Sequence, residues 1–173
     1  PNIRLFAKIS VLENIMIAQH AHHRQGIGAA VLRTPAFFAE EADSRARAMG
    51  YCDLLGLAAA AREEAGSLSY GDQRRLEIAR ALATRPKLLL LDEPAAGMNP
   101  TEKRELMEMI QSIRTRFGLT ILIIEHDMKV IMGICERILV LDYGKTIATG
   151  TPGEIRRNPA VIEAYLGASA KQG

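Results

Sequence analysis

Two short apolar runs, each closed by acidic residues and separated by a single helical pattern, constrain this chain more than any other feature. Residues 88–91 are four leucines running into Asp92-Glu93-Pro94, and residues 120–124 (TILII) run into Glu125-His126-Asp127. Uninterrupted apolar stretches of this length predict strands buried on both faces, as in a parallel sheet, and Pro94 cannot continue a ladder. Between them, Asn99-Pro100-Thr101-Glu102 carries the cap, proline and acid of a helix start, and Gly118 closes that helix. A third run, 137–141 (RILVL), follows a helix over 128–135 that Asp127 can cap. This strand-helix alternation predicts one parallel sheet with right-handed crossovers, an α/β fold. The acids then lie at the carboxyl ends of strands, where open α/β sheets bind ligands. Metal, phosphate and a substrate water are candidates for them to handle; an acidic pair that simply follows a core strand is the plain alternative.

The remaining segments are mostly helical. Ser10 to Glu13 is a capping box opening a helix with Leu12, Ile15 and Met16 on its apolar face, broken by the 20–28 stretch. Thr34-Pro35 starts a second, with Glu40, Glu41, Arg45 and Arg47 on its wet side; it is expected to end near Gly50, before a separate helical piece over 52–57 and a turn at Gly66-Ser67. Residues 68–86 (LSYGDQRRLEIARALATRP) place Leu76, Ala79, Leu82 and Ala83 at helical spacing, with Pro86 as terminator. Asp142-Tyr143-Gly144 turns the third strand into a hairpin, and short helices are expected from Thr151-Pro152-Gly153-Glu154 and over 159–166. Leu12, Ile15, Phe37 and Phe38 are core candidates.

Composition narrows the function classes. With 48% hydrophobic residues in 173, the chain can bury a core. A net charge of +2 with dispersed basic residues argues against nucleic acid as a partner. Cys52 and Cys135 have neither zinc-type spacing nor a disulfide framework, which fits a reducing cytosol. No apolar run approaches the roughly 18 residues of a membrane span. The first ten residues lack an initiating methionine and a signal-peptide pattern, and read as cut rather than begun. His20, His22 and His23 have no companion acids or cysteines at ligand spacing, and read as solvated loop histidines.

A phosphate loop of the form G-x-x-x-x-G-K-[ST] is the usual companion of such a sheet. Gly144-Lys145-Thr146 imitates its end, but Leu139 stands where the first glycine belongs and an extended pattern, not a helix, follows. These residues are expected in the hairpin turn. A better anion site is the start of the 68–86 helix, where Ser69 and Gly71 sit among unpaired N–H groups at the positive dipole end; an ordinary helix cap is the alternative.

Leu68-Ser69-Tyr70-Gly71-Asp72, then residues 88–93, then His126 past a second strand form a spaced constellation over nearly the whole chain. In these residues the chain resembles the nucleotide-binding subunit of ABC transporters. The resemblance implies a P-loop NTPase-like parallel sheet with flanking helices and a helical subdomain, incomplete at the N-terminus. It makes Leu68, Ser69, Tyr70, Gly71 and Asp72 the signature motif, which contacts ATP phosphate in a partner subunit. Residues 88–92 become the Walker B strand, with Asp92 on Mg2+ through water, Glu93 the general base, residues 96–99 the D-loop with Asn99 at the nucleotide, and His126 the switch histidine. Residues 2–6, 33–37, 74–80 and 159–167 are similar to the ATPase of branched-chain amino-acid importers.

Three parts follow from the resemblance: residues 1–66 as the helical subdomain after the Q-loop, 67–150 as signature helix, Walker B, D-loop and switch, and 151–173 as C-terminal helices. It also implies ATP and Mg2+, a second ATPase subunit (identical or not), transmembrane permease subunits, and a peripheral place on the cytoplasmic face of the inner membrane. The family's phosphate loop and Q-loop glutamine would lie before Asn2, so these 173 residues alone are expected to show no ATPase, no nucleotide affinity tighter than about millimolar, and an exposed apolar sheet edge. The alternatives are a truncated, non-hydrolysing assembly or docking module and a nucleic-acid repair or translation ATPase; the latter should carry coiled-coil or basic insertions that this chain lacks. Asp72 departs from the glutamine that usually ends the signature, and either brings negative charge to the phosphate site or turns toward its own helix dipole.

Overall fold

The computed structural model describes residues 4–19 and 34–166. Helix α1 (Val11–Gln19) opens on the expected capping box: Ser10 N–H donates to Glu13 Oε2 at 2.8 Å, and Glu13 N–H donates to Ser10 Oγ at 3.2 Å. The Ser10 hydrogen bonds hold the Glu13 carboxyl below its ordinary pKa. Thr34 caps α2 (Pro35–Leu54) by accepting from Phe37 N–H. This helix runs through Gly50 without a break, and the piece expected over 52–57 is its last turn. A lone glycine costs a helix interior only about 1 kcal/mol; the stop falls at Leu55, followed by Gly56 in the left-handed region at φ +71. Phe38 lies 52% exposed, edge-on to Phe37, so it is not a core residue. His20, His22 and His23 lie outside the described residues.

A 3-10 turn (Ala65–Ser67) leads to α3 (Tyr70–Ala83), capped by Ser69. Strand β1 (Leu88–Asp92), α4 (Pro100–Phe117) and β2 (Thr120–Ile124) form a parallel βαβ unit, with Leu88 opposite Thr120 and Asp92 opposite Ile124. Asn99 and Glu102 close a full capping box at the start of α4, and Gly118 ends it at φ +62. Asp127 caps α5 (Met128–Ile134). Strand β3 (Ile138–Asp142) then turns at Tyr143 and Gly144, both with positive φ, into β4 (Lys145–Gly150). Gly144-Lys145-Thr146 is therefore a hairpin turn entering a strand, as expected. Helices α6 (Pro152–Arg157) and α7 (Pro159–Val161) follow, continued by one π-turn (Ile162–Leu166).

Two features of the sheet differ from expectation. Among the described residues, β3 pairs only with β4 and antiparallel, so the parallel sheet has two strands rather than three. A two-residue turn needs no long crossover, and its local pairing occupies an edge of β3. The strands are also buried on one face only: Leu89 and Leu91 point into the core, while Leu88, Leu90, Leu122, Ile124, Leu139 and Leu141 are 48–64% exposed. An all-apolar strand is suited to cover on both faces, and the described residues cover one.

The main core is continuous from Val11 to Val130 and joins α1, α2 and α3 to the βαβ unit; a smaller core gathers Ile138, Val140, Ala148, Ile155 and Val161. Inside the main core Asn14 is fully buried. Its Oδ1 accepts from Phe6 N–H, and its Nδ2 donates to the Phe6 and Ser10 carbonyls, all at 3.0 Å. This amide pins the leading turn to α1. Asn14→Ala leaves those backbone groups unpaired and should destabilise the fold by about 1–3 kcal/mol. Urea unfolding should show a lower midpoint with an unchanged slope.

Candidate functional site

The βαβ register delivers the chemistry. Because Asp92 pairs with Ile124, the residues after the two strands emerge side by side at one sheet edge. Glu93 N–H donates to Ile124 carbonyl at 2.8 Å, extending the ladder by one bond. Glu93 then takes φ +44, a left-handed conformation costing a glutamate on the order of 1 kcal/mol. Across the edge, His126 Nδ1 stands 3.4 Å from Glu93 Oε1. The imidazole is 73% exposed and the glutamate 39%, so both remain reachable from solvent. Asp92 is exposed and lines, with Arg4, Arg74, Glu77, Leu90 and Pro94, an open cleft of about 460 Å³.

The start of α3 carries the second group. Ser69 Oγ accepts from Asp72 N–H at 3.2 Å and donates to Asp72 Oδ2 at 2.8 Å. Of the two orientations open to Asp72, the structure shows the carboxylate turned back on the Ser69 hydroxyl, beside the positive end of its own helix. Leu68 is buried; Tyr70 is exposed, and its hydroxyl accepts from Arg74 at 2.9 Å while the Arg74 guanidinium lies 5.3 Å from the centre of its ring. A Cβ placed on Gly97, which has φ +74, would stand 3.6 Å from the Tyr70 ring. The start of α3 and the 96–99 turn are thus neighbours. Asn99 uses its Oδ1 on the N–H groups of Thr101 and Glu102. Among the described residues the side-chain hydrogen bonds of Ser69 and Asp72 are made with each other, and the ion pairs of His126 are with Glu93 and Glu125. The structure therefore brings Glu93 and His126 together and leaves the Ser69 helix end as a separate group.

Three contributors escaped the sequence reading. Glu125 is 1% exposed at its side chain and receives three backbone N–H groups, from Ala95 at 2.9 Å, His126 at 3.0 Å and Asp127 at 3.3 Å. A third carboxylate directly after a strand was the signal that could have found it. Lys103 on α4 reaches Asp127 Oδ2 at 2.6 Å, a pairing across 24 residues with no local signature. Arg74, buried on α3, also pairs with Glu77 at 3.0 Å. Cys52 is buried, which pushes its thiol up to about 11, and is not a nucleophile candidate. No cluster of three metal-ligating side chains occurs among the described residues.

Comparison with known proteins places this geometry. A family model described as ABC transporter matches residues 2–96, just over half of the chain. The chain belongs to the ABC transporter family. A second model, described as branched-chain amino acid ATP-binding cassette transporter, matches residues 145–171. The high-affinity branched-chain amino acid transport ATP-binding protein LivG of Salmonella typhimurium is 49% identical over 96% of this chain and 65% of its own. BraF of Pseudomonas aeruginosa, a protein of the same description, is 46% identical over the same shares. The chain thus spans 65% of the length of these relatives. Among solved structures, cbiO1 of Clostridium perfringens, part of the ABC transporter complex cbiONQ, superposes with TM-score 0.73 at 28% identity, covering 92% of this chain and 57% of that one. The ADP conformation of MJ1267, an ATP-binding cassette of an ABC transporter, gives 0.72 at 25%, covering 93% and 64%. The fold is that of the ABC ATPases, a P-loop NTPase-like α/β fold.

The segment after β2 has its own electrostatics. The Lys103 hydrogen bond, helped by the N–H groups of Lys129 and Val130, holds the Asp127 carboxyl below its ordinary pKa. A carboxyl with a lowered folded pKa contributes stability that is present above the unfolded value, near 4, and is lost as pH falls through the folded value. The stability gap between the wild type and Asp127→Asn should therefore be widest at neutral pH and narrow below about pH 4. Denaturant titrations across that range are the check, and Lys103→Met should remove most of the narrowing.

Proposed function

We propose that this chain is part of an ATP-binding and hydrolysing subunit of an ABC importer, with branched-chain amino acids as the transported class. In this reading it supplies signature, Walker B and switch residues to a composite site shared with a second ATPase subunit. The observation that carries the reading is the Glu93–His126 pair, 3.4 Å apart at the carboxyl edge of parallel strands. The likeness to LivG and BraF supports the substrate class.

Each residue then has a defined task. Glu93, as general base, orients a water in line with the γ-phosphate and receives its proton on a carboxylate oxygen. His126 presents its imidazole to the transferred phosphoryl group while Glu93 holds the ring from the Nδ1 side. Ser69, Tyr70, Gly71 and the N–H groups at the start of α3 meet the phosphate bound by the partner subunit, with Leu68 anchoring that turn in the core. In that role the Ser69 hydroxyl would turn from Asp72 to the phosphate. Asn99 fixes the D-loop by capping α4. Asp92 is the hard oxygen donor that suits Mg2+ and would hold it through water; when bound, the ion would neutralise charge on the phosphates.

Residues 1–66 form the helical subdomain in this assignment, 67–150 the catalytic segment and 151–173 the C-terminal helices. Transmembrane permease subunits are the docking partners, at the cytoplasmic face of the inner membrane. No helix among the described residues is long and apolar enough to cross a membrane. The 173 residues contain no G-x-x-x-x-G-K-[ST] sequence. By themselves they should show no ATPase and no nucleotide affinity tighter than about millimolar.

The test is made in the intact subunit. Glu93→Gln should leave ATP binding unchanged and lower hydrolysis by about two to four orders of magnitude, the usual share of a general base. Unchanged turnover would remove Glu93 from the chemistry, and no turnover in the unmutated subunit would favour a non-hydrolysing docking module.

A further inference from the structure

The buried Glu125 carboxylate does more than end a strand. One oxygen, Oε1, accepts from Ala95 N–H at 2.9 Å; the other, Oε2, accepts from His126 N–H at 3.0 Å and Asp127 N–H at 3.3 Å. Its two ends therefore grip two different segments: the turn that carries Glu93, and the loop that carries His126. Pro94 has no N–H, so Glu93 and Ala95 are the donors available at the start of that turn. Both are taken by the 124–125 segment, Glu93 by the Ile124 carbonyl and Ala95 by Glu125. Among the described residues the cation-capable group within 4 Å of this carboxylate is the His126 ring, with Nδ1 at 3.8 Å. A carboxylate taken out of water without a lysine or arginine is held by hydrogen bonds, and here both oxygens must accept.

We infer that Glu125 is a positioning residue that clamps the Glu93 turn to the His126 loop and sets the separation of those two side chains. This deepens the functional reading above and rests on it. The clamp makes the D-loop turn and the switch loop move as one body: a displacement of His126 pulls Ala95 through a single side chain. Gln cannot substitute, because its amide nitrogen is a donor and would face a backbone N–H at one end. Asp, shorter by one methylene, can hold one segment but not both.

The experiment uses the intact subunit carrying Glu125→Gln and, separately, Glu125→Asp. Steady-state hydrolysis and equilibrium Mg-ATP binding are measured, together with backbone amide exchange in the nucleotide-free state. A reacting group displaced by about 1 Å can lose on the order of 100-fold in rate. The expected result is a kcat lowered by about 10- to 100-fold in Glu125→Gln with ATP affinity within about twofold of wild type. Exchange should rise at Ala95, His126 and Asp127 while the rest of the main core stays protected. The double variant Glu93→Gln/Glu125→Gln should lose less than the product of the two single losses, since the clamp acts through the Glu93 and His126 pair. Glu125→Asp should retain part of the rate.

Turnover of Glu125→Gln within twofold of wild type would overturn the inference. So would losses that multiply in the double variant, or a fall in ATP affinity parallel to the fall in kcat. Failure of the underlying reading looks different: there Glu93→Gln itself hydrolyses ATP normally, whatever Glu125 does.

Discussion

The parallel pairing of β1 with β2, ending with Asp92 opposite Ile124, determines where every polar group at the carboxyl edge stands. Strand side chains alternate faces, so a slip of one residue would turn Leu89 and Leu91 out of the core and carry Glu93 away from His126. Burial of those two leucines against the helical layer therefore fixes the register, and the register fixes the site. The strained backbone of Glu93 follows from the same constraint. Its N–H completes the ladder to Ile124 while the chain must turn at once into Pro94, and the left-handed conformation reconciles the two. Glu125, buried between the emerging segments, then fastens the turn to the loop.

Much of this arrangement was legible in the sequence because local chemistry encodes it. Ser10, Thr34, Ser69, Asn99, Asp127 and Thr151 all cap helices where their spacing to the following residues says they should. The turn between β3 and β4 was equally readable from Asp142 and Gly144, although the positive φ of Tyr143 is one that a bulky side chain rarely takes. The strand ends that carry Glu93 and His126 followed from apolar run length and Pro94. What escaped depends on neighbours distant in sequence. Gly50 looked like a helix end because glycine is a common stop, yet here it lies in open space on a continuous helix. The rhythm of strands and helices gives element order but not pairing, so β3 was expected in one parallel sheet with β1 and β2 although it pairs only with β4 among the described residues. Glu125 carried one signal, its place directly after a strand, but its burial depends on Ala95 thirty residues away, and the Lys103 to Asp127 bond has no local pattern at all.

In the proposed reading, the start of α3 is why a single chain would present half of a site. Ser69 and the free N–H groups at the start of α3 would contribute about 1–2 kcal/mol toward an anion, whereas micromolar binding needs about 8 kcal/mol. A useful affinity requires that this helix end meet a phosphate already held by another surface. Tyr70 beside Gly97 puts that helix end next to the 96–99 turn, and Glu125 ties the turn after Glu93 to the His126 loop. In the proposed reading, contact at the start of α3 would be passed through these neighbours to the Glu93 and His126 pair. Asp72 adds a local condition: its carboxylate already engages the Ser69 hydroxyl, and an approaching phosphate competes with it.

Sedimentation of the intact subunit, with hydrolysis blocked by Glu93→Gln, tests the shared site most directly. With saturating Mg-ATP two chains should associate, and adding Ser69→Arg should abolish that association while each chain still binds nucleotide. Association that persists with Ser69→Arg, or nucleotide binding lost together with it, would contradict a site in which this helix serves the phosphate of a partner.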